Sequence, residues 1–205
     1  MVKKIPIYAS GILIACLGVA LIINSTVGAG PWDILFVTLT VKFGLTMGSW
    51  VMIWQAGFLI FNAIILKKRP EIESFITVLL WGVTVDFWMF IVVKGTDFTA
   101  SPLVIKWCVF LIGVTLIGFG VGIYLSTNLP RMPYDGTMVA ISQRYKLSLR
   151  VSRLILEGTA VILGFLLGGT MGIGTVVIVL AIGSIIQFFN KMANRIIDSK
   201  LMFRA

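Results

Sequence analysis

A chain of 205 residues that is 59% hydrophobic and 12% charged, with a mean hydropathy of +1.05, carries more apolar surface than one globular core can hide. That excludes an ordinary soluble domain and predicts an all-α polytopic membrane protein whose surrounding partner is the lipid bilayer. The net charge of +9 would point to nucleic acid in a soluble protein, but here the bases crowd between apolar runs, as the positive-inside rule requires. Nucleic acid is therefore excluded as a partner.

Six stretches are long and apolar enough to cross a bilayer, which takes about 20 residues each. They are Ile5 to Asn24, Gly48 to Leu66, Ile72 to Val93, Leu103 to Leu125, Val151 to Gly168 and Ile173 to Phe189. The first follows Lys3-Lys4 and imitates a secretory signal, with Leu13-Ile14-Ala15-Cys16 resembling a lipoprotein cleavage box. Its apolar run continues unbroken to Ile23, so an uncleaved span is expected. Cys16 and Cys108 both lie inside apolar runs and read as small hydrophobes; with no histidine in the chain, no metal or other cofactor is expected.

Two shorter stretches, Pro31 to Phe43 and Pro133 to Tyr145, are too short to span and too apolar for plain loops. They read as re-entrant half-helices that enter the membrane and return. Each opens with a proline at about the first helical position and an acid, Asp33 or Asp135, near the third, where free N–H groups and the positive end of the helix dipole favour it.

Sliding the sequence by 102 positions aligns these two openings with each other. It also aligns Gly11 with Gly113, Gly18 with Gly120, Ser25 with Thr127, Lys42 with Arg144, Thr46 with Ser148 and Gln55 with Glu157. An offset of 101 then aligns Ser74 with Thr175, Gly82 with Gly183 and Asp86 with Gln187. The chain reads as a single membrane domain in which 1–100 and 101–190 are two repeats, each a span, a half-helix and two spans, followed by a basic tail, 191–205.

Lysines and arginines decide the relative orientation of the repeats. If the short helices return to their own side, one face carries Lys3, Lys4, Lys67, Lys68, Arg69, Arg131, Arg144, Lys146, Arg150, Arg153, Lys191, Arg195, Lys200 and Arg204, against Lys42, Lys94 and Lys106 on the other. That is 14 against 3 of the 17 bases, with both termini cytoplasmic in a plasma or inner membrane. Three spans per half is an odd number, so the second half is expected upside down relative to the first. In such inverted-topology repeats, broken segments meet near the midplane and face a substrate or ion.

The element Gly28-Ala29-Gly30-Pro31-Trp32-Asp33 resembles the signature that follows the first helix in the YczE/YyaS/YitT-type family of bacterial integral membrane proteins. Pro130 to Gly136 is similar to its looser second copy, Gly-x-Gly-Pro-Tyr-Asp-Gly, with Pro130, Arg131 and Met132 in place of the small residues. Glu157, Gly168-Gly169 and Gly172-x-Gly174-Thr175 are similar to the family's second half. The resemblance covers nearly the whole chain and implies architecture rather than an activity.

The expected function is a small secondary transporter or exporter of a small polar molecule or ion. Substrate contacts are assigned to Gly28, Gly30, Trp32, Asp33, Gln55, Tyr134, Asp135 and Glu157, and proton or ion coupling to Glu157 and Asp86. Each has a structural alternative. Asp33 and Asp135 suit helix capping, Trp32 and Tyr134 suit filling space around a broken helix, and Arg153, four residues before Glu157, suits a buried ion pair on one helix face. Asp86, flanked by Trp81 and Trp88, also suits a side chain reaching for the outer surface. Arg131, Arg150 and Arg153 read either as topology determinants meeting lipid phosphate or as an anion funnel. Stripes such as Gly118-x-x-x-Gly122 and Gly164-x-x-x-Gly168 let helices pack closely and admit a homodimer contact.

Two rival functions are a substrate-binding membrane subunit of a larger importer and a membrane accessory or regulatory protein acting through the basic tail. No nucleophile–base pair or metal-ligand spacing points to an enzyme.

Overall fold

The computed structural model describes residues 4–96 and 98–202, with the side chains of 197–202 set aside. Lys3, Arg204 and the Lys200 side chain, part of the charge asymmetry above, lie outside the described residues. Among those described there is no strand, and eight α-helices follow one another: α1 (Ile5–Ser25), α2 (Pro31–Phe43), α3 (Met47–Leu66), α4 (Ser74–Phe87), α5 (Leu103–Ser126), α6 (Pro133–Tyr145), α7 (Leu149–Leu166) and α8 (Ile173–Met202). Helix α4 runs on into a π-helical turn, Trp88–Val92, closed by a Val93 N–H to Trp88 carbonyl bond of 2.8 Å.

Five elements have the length and apolarity of bilayer spans: α1, α3, α4 with its π turn, α5, and α8 over Ile173–Ile196. The sixth predicted span, Val151 to Gly168, coincides with α7. That helix has 18 residues, three of them charged (Arg150, Arg153 and Glu157), and the charges set it apart from the other five. Helices α2 and α6 have 13 residues each, about 20 Å of rise, which is short of a hydrocarbon core of roughly 30 Å. The predicted basic tail begins as a continuation of α8, because no glycine or proline stands between Gly183 and Met202 to end the helix.

The offset of 102 recurs in three dimensions. Helices α2 and α6 start and stop at equivalent residues. The chain enters each through a non-glycine residue in the left-handed region, Thr26 at φ 59° and Asn128 at φ 55°. Helices α3 and α7 start at equivalent positions, capped by Thr46 accepting from Ser49 N–H and Ser148 accepting from Val151 N–H. The equivalence ends at the last helix of each half: α4 packs on α3, whereas α8 packs on α5.

The chain divides into two compact units, each drawn from both sequence halves. The first comprises 1–29, 88–129 and 172–205, and its centre is α1 against α5. A Cβ on Gly11 would strike the Gly120 carbonyl, and one on Gly18 would strike the Gly113 carbonyl. Gly11 is the equivalent of Gly113 and Gly18 of Gly120, so each glycine meets the equivalent of the other, and the two helices run antiparallel. Small residues here let backbones approach closely, which is how helices associate where no hydrophobic drive separates protein from lipid.

The second unit comprises 30–87 and 130–171. In it α2 packs on α7 and α6 packs on α3, so each short helix lies on the long helix of the other half. Ala140 and Ala160 are fully buried in this unit, as is Leu35 on α2.

Candidate functional site

The starts of α2 and α6 converge in the second unit. The rings of Trp32 and Tyr134, equivalent residues at the second helical positions, touch with centroids 6.0 Å apart. Contact between equivalent residues puts the two helix starts face to face. Helix α3 adds Trp54 and Phe58, one turn apart on a single face, at 5.6 and 5.0 Å from Trp32. All four rings are half-buried, so the cluster keeps accessible surface.

The first turn of α6 is held by amides of α3. Tyr134 N–H, one of the donors a helix start leaves free, donates to Gln55 Oε1 at 3.0 Å, and Asn62 Nδ2 donates to the Pro133 carbonyl at 2.9 Å. Gln55 is buried, and that bond answers the cost of burying its carbonyl oxygen. Thr77 Oγ1 donates to the Pro130 carbonyl at 3.0 Å and fixes the approach to α6.

The start of α2 is arranged differently. Gly30 occupies the N-cap position, and the Asp33 carboxylate at the third helical position lies back against it. A Cβ on Gly30 would meet Asp33 Oδ2, which explains glycine there. Glu157, the equivalent of Gln55, lies on α7 with Oε1 accepting from the Tyr134 hydroxyl at 2.8 Å and 3.7 Å from Arg153 Nε. The Arg153–Glu157 tie expected from the four-residue spacing is therefore present, but it engages only one oxygen. Glu157 Oε2, Trp32 Nε1 and Asn62 Oδ1 are all buried with no hydrogen-bond partner.

Gly30, Trp32, Asp33, Gln55, Tyr134 and Glu157 are thus gathered in one place, and Asp135, half-buried at the third position of α6, follows Tyr134 directly. Gly28 belongs to the first unit, where a Cβ at its φ of 152° would meet Thr175 N and Gly174, and where Val27 carbonyl accepts from Gly174 N–H at 3.1 Å. The paired glycines of Gly28 and Gly172-x-Gly174 make room for that backbone contact. Asp86 is apart from the cluster: its carboxylate takes the Gly48 N–H at 2.8 Å and the Thr46 hydroxyl at 2.5 Å, binding the start of α3 to α4. Among the described residues no trio of acid, cysteine or histidine side chains converges in a way that would hold a metal ion.

Sequence reasoning missed Trp54, Phe58 and Asn62. Their spacing at i, i+4 and i+8, beside Gln55, was the available signal: one face of a single helix carries two rings and two amides.

Apolar helices of bilayer length define a multi-pass integral membrane protein. The chain belongs to the family described as "Family of unknown function (DUF6198)", whose model matches residues 2–191. It is 37% identical over 197 residues to the "Uncharacterized protein YyaS" of Bacillus subtilis (strain 168), covering 96% of this chain and 97% of that one. It is 32% identical over 189 residues to the "Uncharacterized membrane protein YczE" of the same organism, covering 92% and 86%. An "Uncharacterized protein" of Haemophilus influenzae is 34% identical over 197 residues, covering 95% and 86%. No solved structure matches the chain.

Proposed function

We propose that this protein is a small secondary transporter or exporter of a small polar molecule or ion, and that its site is the convergence of the α2 and α6 starts. The reading includes six spans, two re-entrant half-helices, inverted-topology repeats and cytoplasmic termini in the cell membrane. The observation that carries it is the Trp32–Tyr134 contact, which brings two broken-helix starts, each with an acid beside it, to one point. Irregular backbone at membrane depth is tolerated where it is buried in protein or lines a wet cavity, and opposed half-helix starts are the usual midplane site of transporters built this way. The antiparallel α1–α5 seam, with each glycine against the equivalent of the other, supports inversion.

In this reading Asp33 and Glu157 contact the substrate. Glu157, held on one oxygen by Tyr134 and Arg153, has the other available to carry a coupling proton or to meet a cation. The test is flux in proteoliposomes of the purified chain, screened over cationic, anionic and neutral solutes. Wild-type flux is expected to fall sharply in both Asp33→Asn and Glu157→Gln. Wild-type-like flux in both variants would remove the site, and no flux of any solute would remove the transport reading.

A further inference from the structure

We infer that two copies of this chain associate in the membrane through the outward face of α8, with the Gln187 amides of the two copies hydrogen-bonded to each other. This goes beyond the transport reading and does not depend on it.

Gln187 and Asp86 are equivalent in the two halves. Asp86 is answered within its own unit, by the Gly48 N–H and the Thr46 hydroxyl, because α4 packs on α3. Helix α8 packs on α5 instead, and Gln187 is left exposed; among the described residues no hydrogen bond reaches its amide. Its depth follows from its neighbours. Gly118 meets Ile185, and Gly122 meets Phe189 and Asn190, so Gln187 lies level with Gly120. That is about six residues, or about 9 Å, short of the α5 end at Ser126, beside which the Thr127 carbonyl takes the Lys4 ammonium. The amide therefore stands within the apolar length Ile173–Ile196, where hydrocarbon tails offer it no partner and an unmet polar group is costly.

The outward face of α8 is one stripe. Val176, Leu180, Ser184, Gln187 and Lys191 are all exposed and recur every three or four residues, the spacing of a single helix face, with Phe188 widening it. The opposite face is taken. Ile178 and Ile182 are buried, and Ile185 and Phe189 fill the room left by Gly118 and Gly122. The glycine stripe of α5 is thus occupied within the chain and is not where a second copy could pack. The α8 stripe has large apolar side chains toward the helix start, serine and glutamine at its middle and lysine at its end. Helices in lipid associate through such polar side chains, which bond across an interface.

A second copy is the partner that fits. Two copies inserted in the same sense are related by a two-fold axis along the membrane normal, so residues near that axis meet their own equivalents at equal depth. An amide is a donor and an acceptor at once, and two of them facing across the axis satisfy each other, each NH₂ on the other's carbonyl oxygen. A carboxylate there, like the equivalent Asp86, would repel its copy; a glutamine complements itself. Such a polar pair also fixes the register of two helices, as a lone polar residue does in a coiled coil. Lys191, a turn further on, has a stem long enough to carry its ammonium out to the headgroups and away from its copy.

The first test places single cysteines, Ser184→Cys, Gln187→Cys and, as a control on α7, Ile162→Cys, in the full chain lacking Cys16 and Cys108, and oxidises membrane vesicles with copper phenanthroline. Disulfide-linked dimers are expected from positions 184 and 187 and not from 162, although Ile162 is 60% exposed. The second reconstitutes donor- and acceptor-labelled copies in liposomes over a range of protein-to-lipid ratios and reads energy transfer. The wild type is expected to dimerise. Gln187→Leu, which changes an exposed side chain and leaves the α5–α8 packing alone, should weaken association roughly three- to thirtyfold, and Gln187→Asn, which keeps an amide, should weaken it less. Wild-type copies that stay monomeric at every ratio would overturn the inference. So would Gln187→Leu associating as tightly as the wild type, or cross-linking at 162 as efficient as at 187. Solute flux has no bearing on these outcomes, and their failure leaves the proposed transport site standing.

Discussion

Asp86 shows how a half-buried acid in an apolar helix divides between structure and chemistry. Both its oxygens are engaged on the start of α3, by Gly48 N–H and the Thr46 hydroxyl, and a Cβ on Gly48 would strike the Gly82 carbonyl and that carboxylate. The geometry is that of a tertiary cap, a carboxylate from one helix meeting the free N–H groups of another. Asp86→Ala is accordingly expected to cost about 0.5–2 kcal/mol, as loss of a cap does, read as a lowered Tm in detergent, with flux of the folded protein unchanged. Loss of flux at an unchanged Tm would restore the coupling role. Gln55 and Glu157 make the contrasting pair. They are equivalent by sequence, but the Gln55 carbonyl oxygen is taken by a backbone N–H, while the acid keeps one oxygen unused. The alignment of a glutamine with a glutamate was legible in the residues alone; which of the two was spare was not, because that depends on which side chains the opposite half places nearby.

At the scale of the element, helix starts were more legible than helix packing. Prolines at 31 and 133 write their boundaries locally, so α2 and α6 begin at the predicted residues, whereas α3 and α7 begin one and two residues before the predicted Gly48 and Val151, at Met47 and Leu149, where the caps Thr46 and Ser148 start them. The end of α8 and the π turn after α4 were not legible. One follows from the absence of a breaker, and the other places Trp88 so that its indole N–H reaches the Leu13 carbonyl at 3.0 Å, a long-range contact that no local pattern encodes. The glycines divide just as sharply. Gly120 is buried with α1 backbone against it, whereas Gly57 on α3 faces open space. Gly120→Ala should therefore destabilise the protein by about 1–3 kcal/mol through overpacking. Gly57→Ala should be neutral or stabilising by up to about 1 kcal/mol, since alanine is the better helix former. Thermal unfolding of the two variants side by side checks both signs, and equal effects would mean that the α1–α5 seam is not as tight as described.

For the whole molecule, the decisive question is topology. The repeat was visible as an offset of 102, and its inversion was argued from the distribution of bases. The antiparallel course of α1 and α5 supports the same arrangement by a separate route. Single cysteines at Lys42→Cys and Arg144→Cys, in a background lacking Cys16 and Cys108, are expected to be labelled by an impermeant reagent from opposite faces of intact vesicles. Labelling of both from one face would end the inverted reading and, with it, the opposed half-helices. The candidate site was legible in its acids and in the aromatic at each helix start. The contribution of α3 was not, because Trp54 and Phe58 reach the cluster through the packing of α3 on α2 and α6.

That packing has a consequence for ancestry. Because α2 lies on α7 and α6 on α3, each half supplies the support for the other half's short helix, and neither would be a finished protein by itself. If the halves are inverted, a forebear of half the length would have needed to insert into the membrane in both orientations and embrace an upside-down copy of itself. Fusion of two such copies would have freed each to drift alone, which is how a glutamine in one could become the partly unpartnered glutamate of the other.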